Sequence, residues 1–304
     1  LIDLLEDAMF ELRRLRLLHE LALRGTIVEV ARALSYSPST VSQQLALLER
    51  EAGVALLEPD GRRVRLTTEG RLLAAHASRA IDLDEAVRAE LSHAQHLPAN
   101  VRLAVMPTAA EALVPRALTL LSEHMPGLRV EMVELAPEHG LFELQAHGFD
   151  LVVAEQYPGH TRELRDGIDR TLLGHDPIRL AVPPSSRATQ LGDLREAAWA
   201  MEPQGAAVRQ WAVQQCRAAG FEPDVRFDAT DLVAHARLVA AGHAAAMLPD
   251  LVWTGGRDSV RLLELPGNPV REIFAATRTS SRDNPAVQAV LGALTDALSA
   301  HVPR

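Results

Sequence analysis

The sequence predicts three successive parts: a small helical module that carries a β-hairpin, one long helix, and a larger α/β domain of two lobes. Three observations predict this order. Apolar residues at helical spacing, broken by turn residues, fill positions 9–53 and give way to a short basic hairpin by Leu66. A second helical pattern then runs to about Leu97. From Val101 the texture changes to alternating strands and helices, the mark of a mostly parallel sheet. With 304 residues, 47% of them hydrophobic, the chain can bury the cores of two or three domains.

The first helical segment, FELRRLRLLHELALRG, sets Leu12, Leu15, Leu18 and Leu21 on one face and ends at Gly25. It follows Met9, and residues 1–8 (LIDLLEDA) read as a start-site extension. Thr26 is placed to cap a short helix with Ile27, Val30, Ala31 and Leu34 at helical spacing, and Ser35-Tyr36 makes a turn. Ser37 is then the N-cap of another helix, with Pro38 at its first position, where a missing N–H costs nothing. Val41, Leu45 and Leu48 would face the core. The opposite face carries Ser39, Thr40, Ser42, Gln43 and Gln44. Hydroxyls and amides with few charges suit a helix that reads base edges in a major groove.

Two short helices joined by a tight turn also occur in domains that bind no DNA. The following segment separates the two readings. Val54–Leu57 reads as a strand, Pro59-Asp60-Gly61 as a turn, and Arg62, Arg63 and Arg65 alternate with Val64 and Leu66 as the return strand. Cations near the hairpin tip are placed for phosphate or the minor groove. Residues 1–66 are therefore a winged helix-turn-helix that binds DNA.

The net charge of −9 opposes that reading, and its distribution resolves part of the conflict. Residues 9–66 hold nine Arg against seven acids, whereas residues 98–304 hold nineteen against twenty-five. Non-specific affinity from counterion release should be modest and local. Groove fit and a second copy of the module must supply the rest. All 31 basic residues are Arg, which excludes lysine-dependent chemistry such as a Schiff base. The single Cys216 excludes an internal disulfide and a two-cysteine switch within one chain. No apolar run approaches the roughly 20 residues of a membrane span, and no secretory leader is visible. A cytoplasmic protein with no membrane partner is expected.

Residues 67–97 read as a linker and dimerisation helix, with a solvated connector as the other reading because Asp84 interrupts the seam. Leu73, Ala77, Ala80, Asp84, Val87 and Leu91 recur at three- and four-residue steps, a seam for pairing with a second copy. Residues 98–304 divide into lobe I, about 98–165 and 270–304, and lobe II, about 166–269, with crossovers near Tyr157–Leu172 and Pro266–Arg271. In lobe I, VRLAVM is a strand, Ala109–Met125 a helix, LRVEMVEL a strand, Glu138–His147 a helix and FDLVVAEQ a strand; Val270–Thr277 and the helix Pro285–Ala300 complete it. In lobe II, strands IRLAVP, AWAMEP and DVRFDA alternate with helices at Gly192–Ala198, Ala206–Ala219 and Leu232–Ala241; Ala244–Leu248 and VRLLELP are further strands. Ligands of such folds bind at strand C-terminal ends and between lobes.

The run VARALSYSPSTVSQQLALLEREAGVALLEPDGRRVRLTTEG, supported more loosely by VRLAVMPTAA, HGFDLVVAEQ and AAGHAAAMLPD, resembles the bacterial LysR-type transcriptional regulators. The resemblance covers essentially the whole chain. It implies a winged helix-turn-helix, a linker helix and a two-lobed effector domain like a periplasmic binding protein. It also implies DNA contacts from Pro38, Ser39, Thr40, Ser42 and Gln43 at the start of the recognition helix and from Arg62 and Arg63 of the wing. Gln43 stands where relatives often carry Arg, and Gln favours adenine over guanine. The effector cleft implied by the family takes in Thr108, Ala109, Ala110, Ala136, Glu155, Gln204 and Gly205. Leu135-Ala136-Pro137 departs from the small polar residue usual after the second strand, which weakens the expectation of a carboxylate clamp. Asp231 reads as an N-cap before a ligand contact. A small-molecule effector, double-stranded DNA, a homodimer or homotetramer and RNA polymerase are the expected partners, with no cofactor.

A metal site rests on His93 and His96 alone, three apart on the linker helix, and solvated positions explain them better. No GxSxG or HExxH occurs. The competing class is a small-molecule binding protein without transcriptional output, which the α/β half alone would support.

Overall fold

The computed structural model describes residues 9–61, 63–94, 99–254 and 260–301. The chain divides between residues 97 and 98 into two compact units.

The first unit holds α1 (Leu12–Arg24), α2 (Ile27–Ala33), α3 (Pro38–Ala52), a hairpin of β1 (Leu57–Asp60) and β2 (Arg63–Leu66), and α4 (Thr68–Ala94). Gly25 and Gly53 end α1 and α3 in the left-handed conformation that favours glycine. Thr26 Oγ1 accepts the Glu29 N–H at 3.2 Å and starts α2. Leu15, Leu18 and Leu21 of α1 pack with Val30, Val41, Leu45 and Leu48 into one core, closed by Leu56 and by Ala74 and Ala77 of α4.

The wing strand begins three residues later than the sequence suggests. Val54–Leu56 is not strand; β1 starts at Leu57, and Pro59 and Asp60 pair with Val64 and Arg63 instead of making the turn. The cause is Glu49 of α3, whose Oε1 accepts the N–H groups of Leu56 and Leu57 at 2.9 and 3.0 Å. Those donors are thereby withdrawn from any strand partner.

In α4, 27 residues long, Gly70, Ala74, Ala77 and Ile81 form the buried face. Of the expected seam only Ala77 is buried; Leu73 and Ala80 are half-buried, and Val87 and Leu91 are exposed. α4 is twice the length of α1, 13 residues, against which it packs. In its second half Leu83, Val87 and Leu91 are exposed among the described residues.

The second unit contains β3 (Asn100–Val105), α5 (Pro107–Ala112), α6 (Val114–His124), β4 (Arg129–Glu134), α7 (Pro137–Gln145), β5 (Leu151–Gln156), β6 (Ile168–Val182), β7 (Ala198–Met201), α8 (Ala207–Ala218), β8 (Asp224–Asp228), α9 (Leu232–Ala240), β9 (Ala246–Pro249), β10 (Arg261–Leu263), β11 (Val270–Arg278) and α10 (Pro285–Ser299). In lobe I, β3 runs parallel between β4 and β5, and β11 joins β5 to β6 antiparallel. In lobe II, β9 and β10 pair with the far end of β6, and β7 runs parallel to β8.

β6 is the main departure from expectation. Its residues 168–177 pair with β11, yet the sequence reading assigned 157–172 to a crossover. Charged and polar residues in GIDRTLLGHDP hide a strand whose faces are only partly covered. The strand crosses between lobes near Pro177, where the Ile178 N–H donates to Pro269 O at 2.9 Å. Two helices also differ. The one expected at 109–125 is two, divided at Leu113, because Pro115 has no N–H and cannot continue the first. The one expected at 192–198 is a single 3₁₀ turn, Leu191–Leu194.

Candidate DNA interface and effector cleft

In the first unit, Ser37 Oγ accepts the Thr40 N–H at 3.1 Å and lies 2.8 Å from both Ser39 Oγ and Thr40 Oγ1. Pro38 occupies the first turn of α3, which carries no acidic residue, so the positive end of the helix dipole is uncompensated. Pro38, Ser39, Ser42 and Gln43 are exposed, and Thr40 is half-buried. Gln44 does not belong to this surface. Its Oε1 accepts from Arg14 Nε at 3.1 Å, and Arg14 also pairs with Glu51, so Gln44 serves the α1–α3 contact. Arg13 braces the turn by donating to Tyr36 Oη at 3.0 Å, with its guanidinium 5.1 Å from the ring centroid.

On the wing, Arg65 pairs with Glu58 across the hairpin at 3.0 Å. Arg63 is exposed and has no ion-pair partner among the described residues. Arg62 lies outside the described residues.

In the second unit a cavity of about 820 Å³ opens between the lobes. Its walls are the C-terminal ends of parallel strands, where an α/β fold presents loops and helix starts. β3 leads to Thr108, β4 to Ala136, β5 carries Glu155 beside its last residue, β7 is followed by Glu202, Gln204 and Gly205, and β8 leads to Asp231. Thr108, Ala136, Glu155, Gln204 and Gly205 thus meet in one place. Ala109 and Ala110 do not line it: Ala109 is fully buried in the lobe I core and Ala110 packs against that core. Each helical residue turns by about 100°, so presenting Thr108 to the cavity turns the two residues after it toward the lobe I core. Asp231 caps α9, accepting the Val233 N–H at 2.8 Å, and also borders the cavity.

Three cavity or hinge residues carry charge that the sequence reading missed. Arg271 of β11, 2% exposed, donates through Nε and Nη2 to Asp176 Oδ2 at 2.9 and 2.8 Å. Its Nη2 also donates to Thr108 Oγ1 at 2.8 Å, and Asp176 Oδ1 accepts the Leu251 N–H at 3.1 Å. Burial alone would lower the Arg271 guanidinium; Asp176 holds it above its ordinary value and charged. Glu202 is the third. Burial, reinforced by Glu155, pushes its carboxyl up to about 8. Burial also raises Glu155. Burial works against ionisation of Glu138 as well, but Arg162 beside it holds that carboxyl below the usual range. Arg162 further donates through Nε to Glu155 O at 2.7 Å.

Among the described residues, no three His, Cys, Asp or Glu side chains cluster so as to hold a metal ion. No described helix is long and apolar enough to cross a membrane. Cys216 lies in the lobe II core at 0% exposure, where burial pushes its thiol up to about 12.

Residues 12–71 match the family model for the bacterial regulatory helix-turn-helix protein of the lysR family, and residues 94–299 match the LysR substrate binding domain. The chain belongs to the LysR family of transcriptional regulators. Among its relatives, the regulator is 27% identical over 261 residues to the transcriptional dual regulator GltC of Bacillus subtilis (strain 168), spanning 84% of this chain and 87% of that one. It is 30% identical over 233 residues to a probable hydrogen peroxide-inducible genes activator of Mycobacterium leprae, spanning 74% and 73%. Its fold is shared with a full-length OxyR variant from Pseudomonas aeruginosa (TM-score 0.66, 18% identity, 94% and 95% covered). The same holds for full-length CbnR complexed with target DNA (TM-score 0.52, 21% identity, 95% and 99% covered). The LysR-type regulator therefore pairs a helix-turn-helix DNA-binding domain with a two-lobed α/β effector domain.

Proposed function

We propose that α3 of this regulator enters the major groove of operator DNA by its N-terminal turn. Ser39, Thr40, Ser42 and Gln43 would read base edges, Pro38 would pack against the backbone, and Arg62 and Arg63 would meet phosphate or the minor groove. The observation that carries this reading is the exposed, polar, acid-free first turn of α3 beside a wing with an unpaired Arg63. The likeness to a structure solved with its target DNA supports it. Two modules are needed because each offers few free cations, and the exposed apolar residues Leu83, Val87 and Leu91 of α4 give a second copy a seam to cover. The functional state is then a homodimer or a homotetramer acting in the cytoplasm, with RNA polymerase as a further partner.

The inter-lobe cavity, in this reading, binds a small effector without turning it over or using a cofactor. The effector stabilises one arrangement of the lobes and so shifts how the paired modules engage DNA, which requires different affinities for the two states. Relatives named as hydrogen peroxide-inducible activators raise a thiol-based alternative. The single, fully buried and poorly acidic Cys216 argues against it here.

Fluorescence anisotropy with DNA from upstream of the regulator's own gene tests the first half. Gln43→Ala should lose about 1–3 kcal/mol of discrimination at one base pair; unchanged sequence preference removes Gln43 from readout. For the second half, Ala136→Trp fills the cavity and should abolish induction from a reporter in the native host. Normal induction in that variant places the effector elsewhere.

A further inference from the structure

The cavity is acidic in a way that the fold does not require. Glu111, Glu134, Glu138, Glu155, Glu202 and Asp231 line it, against Arg162 and Arg271 and the imidazole of His139. Both arginines are already committed. Arg162 is paired with Glu138, lies 3.4 Å from Glu155 Oε1 and donates to the Glu155 carbonyl, and Arg271 is paired with Asp176 and donates to Thr108. Two of the four helix starts at the cavity are covered too, while those of α5 and α8 carry no acidic residue in the first turn. Glu138 stands in the first turn of α7, and the Asp231 carboxylate caps α9. What remains is an excess of acidic groups over cations. Glu155 Oε2 and Glu202 Oε2 are both buried and, among the described residues, have no hydrogen-bond partner. Leaving buried carboxylate oxygens unpaired is costly, and a ligand that donates to them recovers that cost.

We propose that this cleft takes an organic cation, with an ammonium or guanidinium head donating to Glu155 and Glu202 and an apolar body against Met106, Tyr157 and Leu232. This rests on the reading of the cavity as the effector site and names the chemistry of that effector. A volume of about 820 Å³ suits a small organic molecule. The raised carboxyls fit the same picture. Glu202 faces Glu155 of β5, Arg271 of β11 and Glu138 of α7, and its backbone carbonyl accepts from Arg209 of α8 at 3.0 Å. Near neutrality the two glutamates together keep a proton, and an arriving cation displaces it to solvent. Binding therefore releases up to one proton per site and tightens as pH rises toward 8, while an alkylammonium stays charged.

The experiment is isothermal titration of the full chain with phenethylamine, agmatine and the anion 3-phenylpropionate, each to about 10 mM and at pH 7 and 8. Paired buffers of different ionisation enthalpy count released protons. At least one amine is expected to bind, about five-fold more tightly at pH 8 than at pH 7, and 3-phenylpropionate is not. Glu202→Gln should remove the pH dependence and the proton release; Glu155→Gln, checked for native circular dichroism, is the second test should the first variant not fold. Binding of the anion but neither amine, failure of all three probes, or amine binding unchanged in both glutamine variants overturns the inference. Ala136→Trp separates the two levels of the argument. Anion binding abolished by the tryptophan refutes the cationic ligand and leaves the cleft as the site, whereas binding insensitive to it removes the cleft reading as well.

Discussion

Replacing Gly70 with alanine puts one backbone contact of the first unit to the test. Gly70 lies in the first turn of α4, where the helix passes over Leu56 at the entry to the wing. A Cβ there would overlap the Leu56 carbonyl oxygen outright and sit 3.0 Å from Leu56 C and 3.1 Å from Leu66 Cδ2. The leucine end can rotate; the carbonyl cannot, because it accepts the Thr67 N–H at 2.9 Å. Thr67 in turn caps α4, its Oγ1 accepting the Gly70 N–H at 2.9 Å and donating to Ala55 O. Relief requires α4 and the wing to part by about 1 Å. Overpacking costs about 1–3 kcal/mol and the weakened hydrogen bond about 1 kcal/mol more. Alanine returns about 1 kcal/mol through helix propensity. The net loss is about 1–3 kcal/mol, or roughly 1 M in urea midpoint. The assay can assign that loss to its unit, because all three tryptophans, Trp199, Trp211 and Trp253, lie in residues 98–304. The part of the far-ultraviolet circular dichroism change that tryptophan fluorescence does not share should move to lower urea while the tryptophan-fluorescence transition stays in place. An unmoved or raised midpoint of that part would refute the close approach, since propensity alone favours alanine.

Two further outcomes are expected. Arg63→Ala should weaken DNA binding evenly across sequences and flatten the slope of log affinity against log salt by about 0.9 for one lost phosphate contact; an unchanged slope excludes that contact. Cys216, with its thiol at about 12 and no exposure, should resist alkylation by iodoacetamide at pH 8 until the chain is unfolded in urea, and rapid native labelling by mass spectrometry would contradict its burial.

The parts of the fold legible in the sequence are those fixed by short-range chemistry. The cap at Ser37, the proline after it and the Val41–Leu45–Leu48 stripe act within two or three turns, and the structure places each as read. Errors arise where a distant residue decides. Glu49 shifts the wing by capping N–H groups seven and eight positions away. The first half of β6 is a strand because β11, about a hundred residues later, pairs with it. In the cleft, Thr108, Ala136, Glu155, Gln204 and Gly205, which the family resemblance implies, line the cavity, whereas Ala109 and Ala110, implied in the same way, turn into the lobe I core and do not. Glu202 was within reach, since it directly follows the last residue of β7. Arg271 and Asp176 were not, because nothing local marks two charges that neutralise each other across 95 positions.

The unbroken run of β6 through both lobes sets how the cleft can move. Neither half of the second unit can come loose while the other stays folded, because each borrows a length of the same strand. In the proposed mechanism, opening and closing would then be a twist concentrated where Pro177 faces Val270, flanked by the Arg271–Asp176–Thr108 bonds, and not the swing of a slack tether. A molecule lodged beside that pivot works on a short lever, so a small rotation there displaces the outer rims of the lobes by much more.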